Sequence, residues 1–184
     1  MFKYVGRADP GPVTELKKQI EFATTPGKEF YGIRYYDVAS PVLESLYNLL
    51  PNEVHSDFYS SLLVINDNIP PHTDIVETAG LNCYVTPGGY QTNIYVNNAG
   101  VLGTEYADHG DGHIYDKNVL TLAGTFTANP FDIYLINNKM IHEVYTDNTE
   151  KPKRQVLQLA TKKYSFEEVT KMINIVDKNV VNVV

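Results

Sequence analysis

Tryptophan is absent from the 184-residue chain, and cysteine occurs once, at Cys83. A lone cysteine closes no internal disulfide, which excludes the small scaffold held together by cross-links. Cys83 stands in an apolar strand-like run, where an unreactive core thiol is expected. No stretch approaches the roughly 18 apolar residues of a helical membrane span. Residues 1–7 carry no long apolar segment of a secretory leader either, so a soluble, intracellular (cytoplasmic) protein is expected. Positive charge is also scarce: 15 Lys and Arg stand against 22 Asp and Glu, for a formal charge of −7. With no basic run, the chain lacks the electropositive footprint that holds extended nucleic acid by charge alone. Repeats and low-complexity tracts are missing too, which removes solenoids and tails.

What is present is an aromatic-rich chain with 14 Tyr, 7 Phe and 43% hydrophobic residues, a composition that suits pleated, half-buried surfaces. The length fits one domain spanning 1–184. Val13, Leu16, Ile20 and Ala23 recur at helical spacing and predict a helix over about 12–24. The run 30–36 reads as a strand, and Ser40-Pro41 supplies an N-cap and first-turn proline for a second helix carrying Val42, Leu43, Leu46, Leu49 and Leu50. From there the period changes to two. Strands are predicted at 61–67, 80–86, 91–97, 112–116, 119–127, 131–136, 140–145 and 154–162, with Gly88-Gly89 as a hairpin turn between the second and third. Short strands in this number without helices between them point to an antiparallel sandwich or jelly roll. Ser165 and Glu168 form a capping box that starts a C-terminal helix.

Chemistry concentrates at Pro70-Pro71-His72-Thr73-Asp74. In an extended segment, positions i and i+2 project from one face, so His72 and Asp74 point together. His142 lies in the strand-like Met140-Ile141-His142-Glu143-Val144, on the face it shares with Val144. Two imidazoles and one carboxylate are the set that holds Fe(II) on one side and leaves positions open. Arg154 opens the last strand, and an arginine at the mouth of a β core needs a counter-anion. His109-Gly110-Asp111-Gly112-His113 offers a rival His-x-Asp, though its glycines read as a turn. His55 reads as structural, and the loop 97–111 as a border of the site.

In type, order and spacing, His72-x-Asp74, His142 and Arg154 resemble the Fe(II)/2-oxoglutarate-dependent oxygenases. Pro71-His72-Thr73-Asp74 and the segment from Asp132 to His142 resemble their small, prolyl-hydroxylase-like members. The resemblance covers about 61–163 and implies a double-stranded β-helix (jelly roll), which the two N-terminal helices and the C-terminal helix read above would flank. It implies that His72, Asp74 and His142 bind Fe(II), that Arg154 grips the distal carboxylate of 2-oxoglutarate, and that Tyr84 adds a hydrogen bond there. It further implies use of O2, release of succinate and CO2, and hydroxylation of a substrate for which a protein side chain, a small metabolite or a base would each serve. Several relatives place a serine or threonine two residues after the arginine, where this chain has Val156. Asn82 and Asn93 are candidates to support the metal ligands. A cupin-like module that binds a metal or small ligand without turnover is the alternative.

Overall fold

The computed structural model describes residues 1–8, 29–30, 33–36, 41–105, 112–150 and 152–180. The elements are β1 (Phe2–Arg7), β2 (Glu29–Phe30), β3 (Ile33–Tyr36), helix α1 (Pro41–Tyr47), β4 (Phe58–Ile65), β5 (Ile69–Asp74), β6 (Ala79–Thr86) and β7 (Gln91–Val96). They continue with β8 (Thr104–Glu105), β9 (Gly112–Ile114), β10 (Thr121–Thr127), β11 (Asp132–Asn137), β12 (Ile141–Tyr145), β13 (Arg154–Thr161) and helix α2 (Phe166–Val180). One sheet runs β1-β11-β6-β13-β4-β3-β2 and the other β10-β7-β12-β5-β9-β8, every pairing antiparallel.

The pairing of β4 with β13, β5 with β12, β6 with β11 and β7 with β10 is that of one long antiparallel ribbon rolled on itself. This is the jelly roll expected from the strand pattern, and it follows from period two. Along β4, Leu63 and Ile65 enter the core between the sheets, while Leu62 and Val64 enter the core under the helices. The inter-sheet core also holds Ile69, Tyr84, Phe126, Ile136, Val144 and Val156. On the other side of the seven-stranded sheet, Leu43, Leu46 and Leu50 meet Leu81, Leu135, Leu157 and Leu159, together with Phe166, Val169 and Ile173 of α2. The capping box at α2 forms as read: the Ser165 N–H donates to Glu168 Oε2 at 2.8 Å, and the Glu168 N–H to Ser165 Oγ at 3.3 Å.

Several expectations change. The helix over 12–24 and the cap at Ser40 lie outside the described residues, and α1 ends at Tyr47 rather than near Leu50. Residues 2–7 form an edge strand on β11. Gly88 and Gly89, at φ +63° and +72°, do turn the chain. They carry it from β6 in one sheet to β7 in the other, and so build an arch, not a hairpin. The same left-handed glycines serve either purpose. Cys83 is buried as expected, and burial pushes its thiol up to about 12. Among the described residues no helix is long and apolar enough to cross a membrane.

Because Leu157 is fully buried on a central strand, Leu157→Ala is expected to cost about 2–5 kcal/mol, read as a lower urea midpoint at unchanged m-value.

Candidate metal centre

The metal-ligand candidates are positioned by an irregularity in β5. His142 pairs with His72, and Val144 pairs with Ile69. Glu143 alone on β12 therefore faces Pro70 and Pro71 on β5, so a bulge of one extra residue sits at Pro70-Pro71. Proline gives the ladder no N–H, and a bulge is where a strand tolerates that loss. Residues three apart on a regular strand face opposite ways. Here the bulge lets Ile69 enter the inter-sheet core and still sets His72 against His142.

The two rings lie 4.1 Å apart between centroids. His72 Nδ1 is 2.8 Å from the Pro70 carbonyl oxygen, and His142 Nδ1 is 2.9 Å from that of Met140. A carbonyl only accepts, so each Nδ1 carries the proton and donates it. Each Nε2 is left with its lone pair. Burial lowers the pKa of both: His72 falls well below the usual histidine range through burial and then the neighbouring His142, while His142 is lowered by burial first, with Arg154 adding to it. Both imidazoles are therefore neutral, the form in which they bind a metal.

Asp74 completes the set. Its Oδ1 is 3.9 Å from His72 Nε2, and its Oδ2 is 3.9 Å from His142 Nε2. One ligand atom from each of the three residues can be chosen so that all lie within 4.8 Å of one another. Each 3.9 Å separation exceeds a hydrogen bond and lies within twice a metal–ligand bond of about 2.0–2.2 Å, so the three side chains close on one cation by drawing slightly inward. The donor set thus fits a divalent transition metal held on one face. The carbonyl bonds at both Nδ1 atoms are the outer contacts that orient metal-binding imidazoles.

Arg154 opens β13 from the opposite sheet and is 3% exposed. Its Nη2 donates to Thr92 Oγ1 of β7 at 2.8 Å, and its guanidinium carbon lies 4.6 Å from the centre of the Tyr84 ring. Among the described residues Arg154 Nε and Nη1, and Tyr84 Oη, are buried without a hydrogen-bond partner. Thr92 lies two residues from Ile94, and Ile94 pairs with His142. The guanidinium therefore spans the sandwich about one pleat deeper than the histidines.

Thr92 was not among the residues read from the sequence. A hydroxyl reaches Arg154 from across the sandwich, and its trace in the sequence is the alternation of Thr92 with Ile94 in the strand-like run 91–97. Asn93 does not support the metal candidates, because period two turns it to the outer face. There Asn93 Nδ2 at 2.9 Å, Tyr95 Oη at 2.6 Å and Lys117 Nζ at 2.9 Å donate to Glu143. Burial alone would raise the Glu143 carboxyl, but these three donors outweigh it and hold the pKa below the ordinary value. His55 Nε2 sits 3.1 Å from the Leu50 carbonyl oxygen, a local structural contact. His113 of β9 lies 3.9 Å from Glu105, whereas His109 and Asp111 fall outside the described residues.

No protein-family model and no curated protein matches the chain. Solved structures do. HygX from Streptomyces hygroscopicus, with nickel and 2-oxoglutarate bound, is similar at TM-score 0.55 and 13% identity over 89% of this chain and 84% of that one. SnoN, a non-haem α-ketoglutarate-dependent epimerase of nogalamycin biosynthesis, reaches TM-score 0.54 at 13% identity, covering 88% and 78%. EvdO2 from Micromonospora carbonacea var. aurantiaca reaches 0.51 at 12%, covering 88% and 86%. At these identities the likeness is one of fold.

Because both histidines have folded pKa values below 6.5, unfolding takes up protons below that pH. The metal-free protein should therefore be most stable above about pH 6.5 and lose stability as pH falls through the folded values. Urea midpoints against pH should show this slope, and it should flatten in the double variant His72→Gln, His142→Gln; an equal slope in the variant counts against neutral buried imidazoles.

Proposed function

We propose that the protein is an Fe(II)- and 2-oxoglutarate-dependent dioxygenase that hydroxylates an organic substrate. The observation that carries this reading is the conjunction of the His72, Asp74 and His142 triad with a buried arginine reaching in from the opposite sheet. Either feature alone has other uses. A metal triad occurs in many binding modules, and a buried arginine can be structural. Together they fit a ligand that has a chelating end for the metal and an anionic end for Arg154.

His72 Nε2, His142 Nε2 and the Asp74 carboxylate would hold Fe(II) on one face, leaving positions for a 2-oxo acid and O2. Fe(II), once bound with these, supplies the oxidative decarboxylation of 2-oxoglutarate to succinate and CO2, with one oxygen atom entering a substrate C–H bond. Arg154, whose Nε and Nη1 have no hydrogen-bond partner among the described residues, would donate charge-assisted hydrogen bonds to the distal carboxylate. Such a ligand also gives the buried cation the counter-anion that it lacks among the described residues, and desolvating an unpaired charge is costly. Thr92 fixes the guanidinium by taking Nη2, and Tyr84 supports it from the ring face and offers its hydroxyl to the same carboxylate. Both imidazoles stay neutral and oriented through the carbonyls of Pro70 and Met140. The surrounding apolar core, with Ile69, Ile94 and Val144 nearby, limits competing water. HygX and SnoN, whose folds are similar, bind 2-oxoglutarate or depend on it, which supports the choice of cosubstrate.

Anaerobic calorimetry tests the reading. One Fe(II) should bind, and 2-oxoglutarate should bind only when the metal is present. Losing charged hydrogen bonds worth about 1.5–3 kcal/mol each, Arg154→Leu should weaken 2-oxoglutarate about ten- to a hundredfold and leave the metal in place. Thr92→Val removes one bond and should weaken it about fivefold. Wild-type protein that binds neither ligand, or an Arg154→Leu variant with unchanged affinity, would sink the proposal. Succinate formed after admitting O2 separates an oxygenase from a module that only binds.

A further inference from the structure

We infer that the carboxamides of Asn82, Asn138 and Gln158 form the subsite for the primary substrate, and that the substrate presents neutral hydroxyl groups to them; this rests on the oxygenase reading above. The three converge over Gly80. A Cβ placed on that glycine would lie 2.9 Å from Gln158 Nε2, 3.4 Å from Asn138 Oδ1 and 3.5 Å from Asn82 Oδ1. The missing side chain is what lets the three amides close in over the Gly80 backbone. Asn82 pairs with Gln158 across β6 and β13, and it faces the inside of the sandwich with Tyr84, two residues on. Asn138 sits in the turn between β11 and β12, where its carbonyl accepts the Asp74 N–H at 3.0 Å. The cluster is therefore joined directly to the backbone of one proposed metal ligand.

Asn82 is 7% exposed and Asn138 4%. Asn82 Oδ1 is nonetheless buried with no hydrogen-bond partner among the described residues. Such an atom costs about 1–3 kcal/mol when left unsatisfied, a penalty that a bound donor removes. A carboxamide offers two N–H donors and an oxygen acceptor without formal charge. A hydroxyl both gives and accepts, so neighbouring hydroxyls match neighbouring carboxamides. An ionised group would find no counter-charge in the three amides and would be desolvated at a cost. The cation at the rim, Lys139, is already bonded to the carbonyls of Asp74 and Ile75, and Arg154 lies deeper, facing the proposed cosubstrate. A small polyol or glycoside, enclosed between the sheets, fits these conditions.

Saturation-transfer NMR on the protein loaded with Zn(II) and 2-oxoglutarate tests this with three probes of one skeleton: D-glucose, D-glucosamine and D-gluconate. Transfer to glucose should exceed transfer to both charged probes, and it should be lost in Asn82→Leu and in Gln158→Leu. The second substitution is at a half-buried position and guards against a variant that does not fold. Preference for a charged probe, no transfer to glucose, or undiminished transfer in variants that unfold at the wild-type temperature would overturn the inference. Calorimetry of 2-oxoglutarate on the same wild-type sample separates the two failures. Intact cosubstrate binding without glucose transfer removes the inference alone, whereas absent metal and cosubstrate binding removes the reading beneath it.

Discussion

The antiparallel pairing of β12 with β5, with one extra residue on β5 at Pro70-Pro71, is the constraint on which the site depends. The prolines remove two backbone donors from the ladder, and the bulge absorbs that loss. Its result is geometric. Ile69 stays in the core, His72 is brought directly opposite His142, and Asp74 follows on the face of His72. The Pro70 carbonyl, two residues before His72, accepts its Nδ1 proton, and Met140 does the same for His142. Two strands that fold far apart in sequence thus orient their imidazoles by the same local device.

The second constraint is the thickness of the sandwich. Arg154 starts on the seven-stranded sheet and ends against Thr92 of the six-stranded one. A buried guanidinium with two nitrogens unbonded among the described residues is an expensive arrangement for a purely structural side chain. Glu143 makes the contrast. It is buried to a similar degree on the outer face, yet it is met by Tyr95, Asn93 and Lys117. One buried charge is satisfied by the protein itself, and the other has bonding capacity to spare among the described residues.

Much of this was legible in the sequence because it rests on local rules. Period two assigned most of the strands, the spacing of His72 and Asp74 placed them on one face, and Ser165 with Glu168 marked the start of α2. What escaped depends on which strands meet. Nothing in Ile69-Pro70-Pro71-His72 says that its partner strand has one residue fewer, so the bulge was invisible. Thr92 reaches Arg154 only through the register of β7 against β12 and the distance between sheets. Gly88-Gly89 turns the chain equally well within a sheet or between sheets. Asn93 illustrates the same limit: its type suited a support for the metal ligands, but its place in the alternation turned it towards Glu143.

The central claim is that His72, Asp74 and His142 are ligands of a single metal that Arg154 faces across the sandwich. Anomalous diffraction at the iron edge, from crystals grown anaerobically with Fe(II) and 2-oxoglutarate, measures it most directly. The account predicts one peak within bonding distance of His72 Nε2, His142 Nε2 and an Asp74 oxygen, with a carboxylate of 2-oxoglutarate on Arg154. A peak at His109 and His113, or no peak among the three proposed ligands, would contradict it.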